Sequence, residues 1–104
     1  LIIQKARDGQ LAPEDVRDGT FTISNHGMGG SLLAAPIIIN QPQSAILGVG
    51  KLEERVSPSP SGDLGKFELR PKAYVTLTID HRALDGFSAN RFLSVFQGFI
   101  ENYK

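Results

Sequence analysis

The sequence predicts an α/β fold in which a sheet is covered on one side by helix, and three observations carry that reading. Ala73 to Ile79 alternates in the manner of a half-buried strand. It runs directly into Asp80-His81-Arg82-Ala83-Leu84-Asp85-Gly86, a tight turn, and from Phe87 to Tyr103 apolar residues recur at helical spacing. Strand, turn and helix in that order deliver His81 to a strand end. Histidine is the side chain whose ordinary pKa lets it take and return protons near neutrality, so this position invites a catalytic reading.

The other elements follow in chain order. Leu1 to Asp8 is helix-compatible, with Gly9 as its stop. The chain begins abruptly, without methionine and already in a helical pattern, which suggests a fragment or a longer chain cut upstream. Pro13-Glu14-Asp15-Val16 reads as a short helical turn, with proline at its first position and acids where they suit the helix dipole. Asp18-Gly19 signals a turn. Thr20 to Ser24 is a strand with Phe21 and Ile23 on one face and hydroxyls on the other. Asn25 to Ser31 is a glycine-rich loop.

Leu32 to Ile39, broken by Pro36, is expected to end as a strand over Ile37-Ile38-Ile39, followed by a bend at Gln41-Pro42-Gln43. Ser44 to Gly50 reads as a buried strand continuing into the more polar Lys51 to Val56. Ser57 to Asp63, rich in Ser and Pro, is an exposed connection between two hairpin strands. Phe67 to Ile79 is expected as one long strand interrupted near Pro71, which cannot donate to a ladder. In the last helix Phe92, Leu93, Phe96, Phe99, Ile100 and Tyr103 form the face that would lie on the sheet.

Composition narrows the function. With 104 residues there is room for one small domain and one core, and 40% apolar with 21% charged residues is a globular composition. Eleven basic and eleven acidic side chains leave no net field, so neither nucleic acid nor an anionic membrane is an expected partner. No apolar run approaches the roughly 20 residues of a membrane span, so no membrane association is expected. Without cysteine there is no disulfide, thiolate metal site or cysteine nucleophile in the chain.

His81 with Asp85 is the strongest constellation. A bare H-x-x-x-D-G also suits a surface histidine beside a turn-capping aspartate, which is the commoner arrangement. A metal pair ranks last with only two histidines, and none is expected. Ser24, at a strand end, is either a solvated loop hydroxyl or a donor to a developing oxyanion, and no G-x-S-x-G surrounds it to make it a nucleophile. His26 reads as an exposed or backbone-bonded loop residue. Gly27-Met28-Gly29-Gly30 and Gly48-Val49-Gly50-Lys51 fit neither nucleotide-binding glycine pattern.

Three stretches together resemble a known family. Asp80 to Gly86 is similar to the D-H-R-x-x-D-G signature of the dihydrolipoamide acyltransferases, the core components of 2-oxoacid dehydrogenase complexes. Gly19-Thr20-Phe21-Thr22-Ile23-Ser24-Asn25-x-Gly27 resembles their G-T-F-T-I-S-N-x-G, and Pro36-Ile37-Ile38 with Gln43 to Gly48 resembles their P-I-I-N-P-P-Q-x-A-I-L-G. The resemblance runs from Leu1 to Lys104 in the family's order.

The resemblance implies the chloramphenicol-acetyltransferase-like fold of coenzyme A-dependent acyltransferases, a two-layer sheet with helices, present here as the C-terminal portion of the catalytic domain. It implies a homotrimer assembling into a larger core, with His81 from one subunit and Ser24 from its neighbour lining a channel between them. Coenzyme A would enter from one end, and a lipoyl group carried on a separate domain from the other. The 2-oxoacid decarboxylase and dihydrolipoamide dehydrogenase components are the implied partners, in bacterial cytoplasm or the mitochondrial matrix.

In the family the histidine is the general base, held in its reactive tautomer by its own backbone carbonyl, and the serine stabilises the oxyanion. Asp85 corresponds to a structural carboxylate that pairs with an arginine. That arginine belongs to the first half of the family's domain, which has no counterpart in this sequence. Ser31-Leu32-Leu33 and Pro36-Ile37-Ile38, followed by Gln43 to Gly48, resemble the succinyltransferases more than the acetyl and branched-chain members. A rival reading is a non-catalytic core subunit that keeps the fold for assembly.

Overall fold

A computed structural model describes residues 1–104 as two small sheets flanked by helix. The first helix, α1 (Ile2–Arg7), is stopped by Gly9, whose φ of +66° is open to glycine without a Cβ penalty. α2 (Pro13–Val16) starts on proline and is tied to α1 by the Lys5–Asp15 ion pair at 3.3 Å. Strands β1 (Thr22–Asn25), β2 (Ala45–Val49) and β5 (Val75–Ile79) form one sheet in the order β1-β2-β5. β1 runs parallel to β2, and β5 runs antiparallel to it. Strands β3 (Glu53–Pro58) and β4 (Phe67–Lys72) form a separate antiparallel hairpin joined through the Ser-Pro stretch. The chain closes with α3 (Gly86–Glu101).

β2 is central and is the most deeply buried element, as its unbroken run Ala45-Ile46-Leu47-Gly48 requires. Its two faces are covered differently. On one, α3 approaches β5, and its Phe92 ring lies 5.9 Å from that of Phe21, just ahead of β1. On the other lies the segment from Leu32 to Pro36. There the Thr76 hydroxyl donates to the Ala34 carbonyl, and the Thr78 hydroxyl donates to the Pro36 carbonyl at 2.6 Å. Gly48 permits that approach, because a Cβ there would meet Pro36 Cδ at 2.6 Å and the Ala34 oxygen at 2.7 Å.

Three expectations about the strands are corrected. The strand of Ser44 to Gly50 does not continue into Lys51 to Val56: β2 ends at Val49 and β3, in the other sheet, begins at Glu53, because between them Gly50 N and Lys51 N donate to the Tyr74 and Ser31 carbonyls. Ile37-Ile38-Ile39 is not a strand: this stretch lies outside both sheets, with Ile37 and Ile38 exposed. The preceding residues are held out of the sheet plane by β5 threonine hydroxyls, so their carbonyls join no ladder. Phe67 to Ile79 is not one interrupted strand but two, in different sheets. The break falls at Ala73-Tyr74, beyond Pro71, which stays paired with Glu54 in the hairpin. At the break the Tyr74 carbonyl accepts from Gly50 N at 2.9 Å, and Arg55 of β3 donates to the Tyr74 hydroxyl at 3.1 Å while lying over its ring.

The core is smaller than the composition suggests. Eight of 104 residues are buried, and its hydrophobic members are Ala34, Ala45, Ile46 and Leu47. The radius of gyration is 17.1 Å, against about 13 Å for a compact domain of this length. Of the expected inner face of α3, Leu93 and Phe96 are half-buried, whereas Phe99, Ile100 and Tyr103 face outwards. Exposed apolar surface on this scale is characteristic of protein or membrane contact sites and of ligand grooves.

Candidate active site

The His81 turn is built from its ends inwards. Asp80 N donates to the Ser44 carbonyl at 2.8 Å, which extends the β2–β5 pairing by one step. The Asp80 carbonyl then accepts from both Ala83 N (2.9 Å) and Leu84 N (3.1 Å), closing a helical turn around His81. Arg82 folds back onto Asp80, its Nε donating to Oδ1 at 3.0 Å and a terminal nitrogen to Oδ2 at 2.8 Å. These bonds to Arg82, from side chain and backbone, hold the Asp80 carboxyl down at a pKa of about 2. Asp85 is the N-cap of α3, its Oδ1 accepting from Ser88 N at 2.8 Å. That bond lowers its pKa, with a smaller contribution from His81 nearby.

Asp85 thus takes the capping role, the commoner alternative for such a pattern, and no arginine of this chain pairs with it. The His81 ring is exposed and makes no hydrogen bond to any other residue of the chain.

Ser24 lies near the end of β1, in register with Gly48 of β2 and Thr76 of β5. The residue is half-buried, and its hydroxyl lies 2.9 Å from His26 Nε2. Sequence reasoning missed this contact, although residues two apart on a strand share a face. The backbone of His26 is bonded as expected, its N donating to the Val49 carbonyl at 2.9 Å. The loop behind it is a short 3-10 turn, Gly27–Gly29, ending on Gly30 with a φ of +89°.

Within one chain the sheet keeps Ser24 and His81 apart. Ile79 pairs with Ala45, three rows from the Ser24–Gly48 row, which is roughly 10 Å along the strands, and His81 lies two residues further on. Because β5 runs against β1, the two side chains leave opposite ends of the sheet. A cleft of about 450 Å³ opens between the start of α3 and β1, walled by Phe21, Pro42, Leu77, Leu84 and Phe92. It is apolar, and neither His81 nor Ser24 lines it.

Residues 1–104 match the family model of the 2-oxoacid dehydrogenases acyltransferase (catalytic domain). A dihydrolipoyllysine-residue succinyltransferase component of the 2-oxoglutarate dehydrogenase complex from Rickettsia bellii is 50% identical over 97% of this chain and 24% of its own length. The mitochondrial human protein of the same description is 50% identical over 95% of the chain and 21% of its own length. The chain therefore spans about a quarter of the length of the curated relatives it matches.

Among solved structures, a probable dihydrolipoamide acetyltransferase of Listeria monocytogenes superimposes with a TM-score of 0.84 at 36% identity, covering 96% of this chain and 41% of that one. A dihydrolipoamide acetyltransferase of Azotobacter vinelandii superimposes with a TM-score of 0.82 at 32% identity, covering 97% of this chain and 40% of that one. In the Azotobacter protein a serine, a histidine and an asparagine four residues beyond that histidine have been studied for their roles in the catalytic mechanism. Sequence match over the full chain and superposition over nearly all of it lead to one assignment: the chain belongs to the acyltransferase catalytic-domain family of the 2-oxoacid dehydrogenases.

Proposed function

We propose that the protein transfers a succinyl group between dihydrolipoamide and coenzyme A, within the core of a 2-oxoglutarate dehydrogenase complex. The observation that carries the reading is the His81 turn. It is fixed at one end by Asp80 and Arg82 and at the other by the Asp85 cap, while the ring between them is exposed and unengaged. The names of the half-identical relatives support succinyl as the acyl group.

A thiol has an ordinary pKa of about 8.5, so near neutrality little of it is thiolate. His81 removes the proton of the coenzyme A thiol as its sulfur bonds to the thioester carbon of succinyl-dihydrolipoamide. The carbonyl electron pair moves onto oxygen, and the Ser24 hydroxyl donates to that oxyanion. Collapse breaks the bond to the lipoyl sulfur, which takes the proton back from His81. No acyl-enzyme is formed.

Since the sheet keeps the two residues at opposite ends of one chain, Ser24 comes from a neighbouring protomer. The exposed apolar residues of α3 and of Ile37-Ile38 support assembly, and two structural relatives are cores of multienzyme complexes. The lipoyl arm on a separate domain and the decarboxylase and dihydrolipoamide dehydrogenase components complete the setting, in bacterial cytoplasm or the mitochondrial matrix. The same exposed surface suits a second reading, a subunit that serves assembly alone.

The test is thioester absorbance with dihydrolipoamide and a panel of acyl-coenzyme A donors. Turnover with succinyl-coenzyme A that His81→Ala abolishes, with assembly intact by light scattering, is the expected result. Unchanged turnover in that variant refutes the base, and no turnover with any donor leaves the assembly reading.

A further inference from the structure

The contact between Ser24 and His26 bears on the proposed reaction, and the inference drawn from it rests on that reading. We infer that His26 is a positioning residue, whose Nε2–H donates to the Ser24 hydroxyl and so leaves the serine proton free for the oxyanion.

A hydroxyl has one proton and two lone pairs, whereas a neutral imidazole has one donor nitrogen and one acceptor. At 2.9 Å the Ser24 oxygen and His26 Nε2 share a single hydrogen, which leaves two arrangements. If Nε2 lacks hydrogen, Ser24 must donate to the ring, and its only proton is spent there. If Nε2 carries hydrogen, Ser24 accepts, and its proton can point elsewhere. Only the second arrangement is compatible with oxyanion stabilisation. Neither side chain has another hydrogen-bond partner in the chain, so the pair answers to each other alone.

The ring is presented from a fixed backbone. His26 N donates to Val49, and the His26 carbonyl accepts from Gly29 N at 3.1 Å and Ser31 N at 3.3 Å. The Asn25 side chain accepts from Gly27 N at 2.9 Å. Gly27 itself lies so close to β2 that a Cβ would meet the Gly50 oxygen at 2.5 Å. Because Ser24 and His26 lie two residues apart at one strand end, the pair travels together whichever protomer supplies His81.

Glutamine and glutamate have nearly the same shape, but only glutamine can donate a hydrogen bond, so the test exchanges them in the protein carrying this chain, with succinyl-coenzyme A and dihydrolipoamide as substrates. His26→Gln, which keeps a donor, retains kcat within about twofold, whereas His26→Glu, which only accepts, falls towards Ser24→Ala, about 100-fold or more below the parent. KM for both substrates stays nearly constant. In a Ser24→Ala background the Gln and Glu variants turn over alike. Equal kcat for the two single variants overturns the inference, as does a Glu effect that persists without Ser24. Loss of activity in His81→Ala alongside equal Gln and Glu variants confines the failure to His26, and absence of transfer in the parent overturns both readings.

Discussion

Arg82 grips the carboxylate of Asp80 with two nitrogens, at 3.0 and 2.8 Å, and His81 stands between them in sequence. An arginine fork on a carboxylate fixes orientation as well as distance. Both oxygens of Asp80 are occupied, and its backbone carbonyl closes the turn onto Ala83 and Leu84. The D-H-R order therefore has a structural meaning: the residues on either side of the histidine bind each other and leave its ring in solvent.

Asp80 should make folding sensitive to acid in a defined window. Its pKa is held at about 2 in the folded chain against 3.8 ordinarily. A carboxyl with a lowered folded pKa contributes stability that is complete above its unfolded value and lost as pH falls through its folded one. Asp80→Asn is expected to be less stable than the parent at pH 6. The gap should narrow from about pH 4 downwards and vanish only below about pH 2, as followed by denaturant unfolding at each pH. A gap that does not change with pH assigns the clasp no role in stability.

Asp85 allows cap and charge to be separated. Asparagine caps a helix about as well as aspartate, and alanine does not. Asp85→Asn should keep the melting temperature of the parent, whereas Asp85→Ala should lower it, with fraying of the first turn of α3 visible by amide exchange. Turnover is expected to follow the same order, because the cap sets where the His81 turn meets the helix. Equal loss in both variants would mean that the charge of Asp85, and not its cap, supports the site.

Local signals made much of this legible in the sequence. Gly9 and Pro13 bound the first helices, the unbroken apolar run of β2 announces its burial, and the Ser-Pro stretch does join a hairpin. What could not be read depends on partners distant in sequence. Ile37-Ile38-Ile39 has strand composition, but Thr76 and Thr78, some forty residues on, hold its approach out of the sheet. Proline marked the wrong point of the Phe67 to Ile79 run, since Pro71 can sit in a hairpin that needs nothing from its nitrogen, and the two sheets diverge only at Ala73. At the site, His81 and Ser24 stood out by type, whereas the Ser24–His26 contact needed the i, i+2 rule applied to a strand end.

The crossing of residues 32–36 over β2 can be tested from both sides. Gly48→Ala places a methyl group against Pro36 and the Ala34 carbonyl, 2.6 and 2.7 Å away, and overpacking of this kind costs about 1–3 kcal/mol. Thr78→Val removes the donor to Pro36 at 2.6 Å, a loss of about 0.5–1.5 kcal/mol. Combined, the two should cost less than their sum, because a segment already displaced by the added methyl group has little left to lose at Pro36. Chemical denaturation of the single and double variants measures this coupling, and strict additivity would show that the two contacts hold the segment independently.

The separation of His81 from Ser24 leads to a test by mixing. If each reaction centre draws its base from one protomer and its oxyanion donor from the next, an assembly of His81→Ala subunits is inactive, and one of Ser24→Ala subunits is slowed by about 100-fold or more. Co-assembled, the two variants regenerate intact centres wherever a Ser24→Ala protomer, which still has its histidine, meets the serine of a His81→Ala neighbour. Random mixing in equal amounts gives that pairing at about one interface in four of a cyclic trimer, so about a quarter of the parent activity should return. Mixing the assembled variants without dissociation should restore nothing. If both residues instead served a centre within one chain, every protomer in the mixture would lack one of them, and co-assembly could not raise turnover above the average of the two variants.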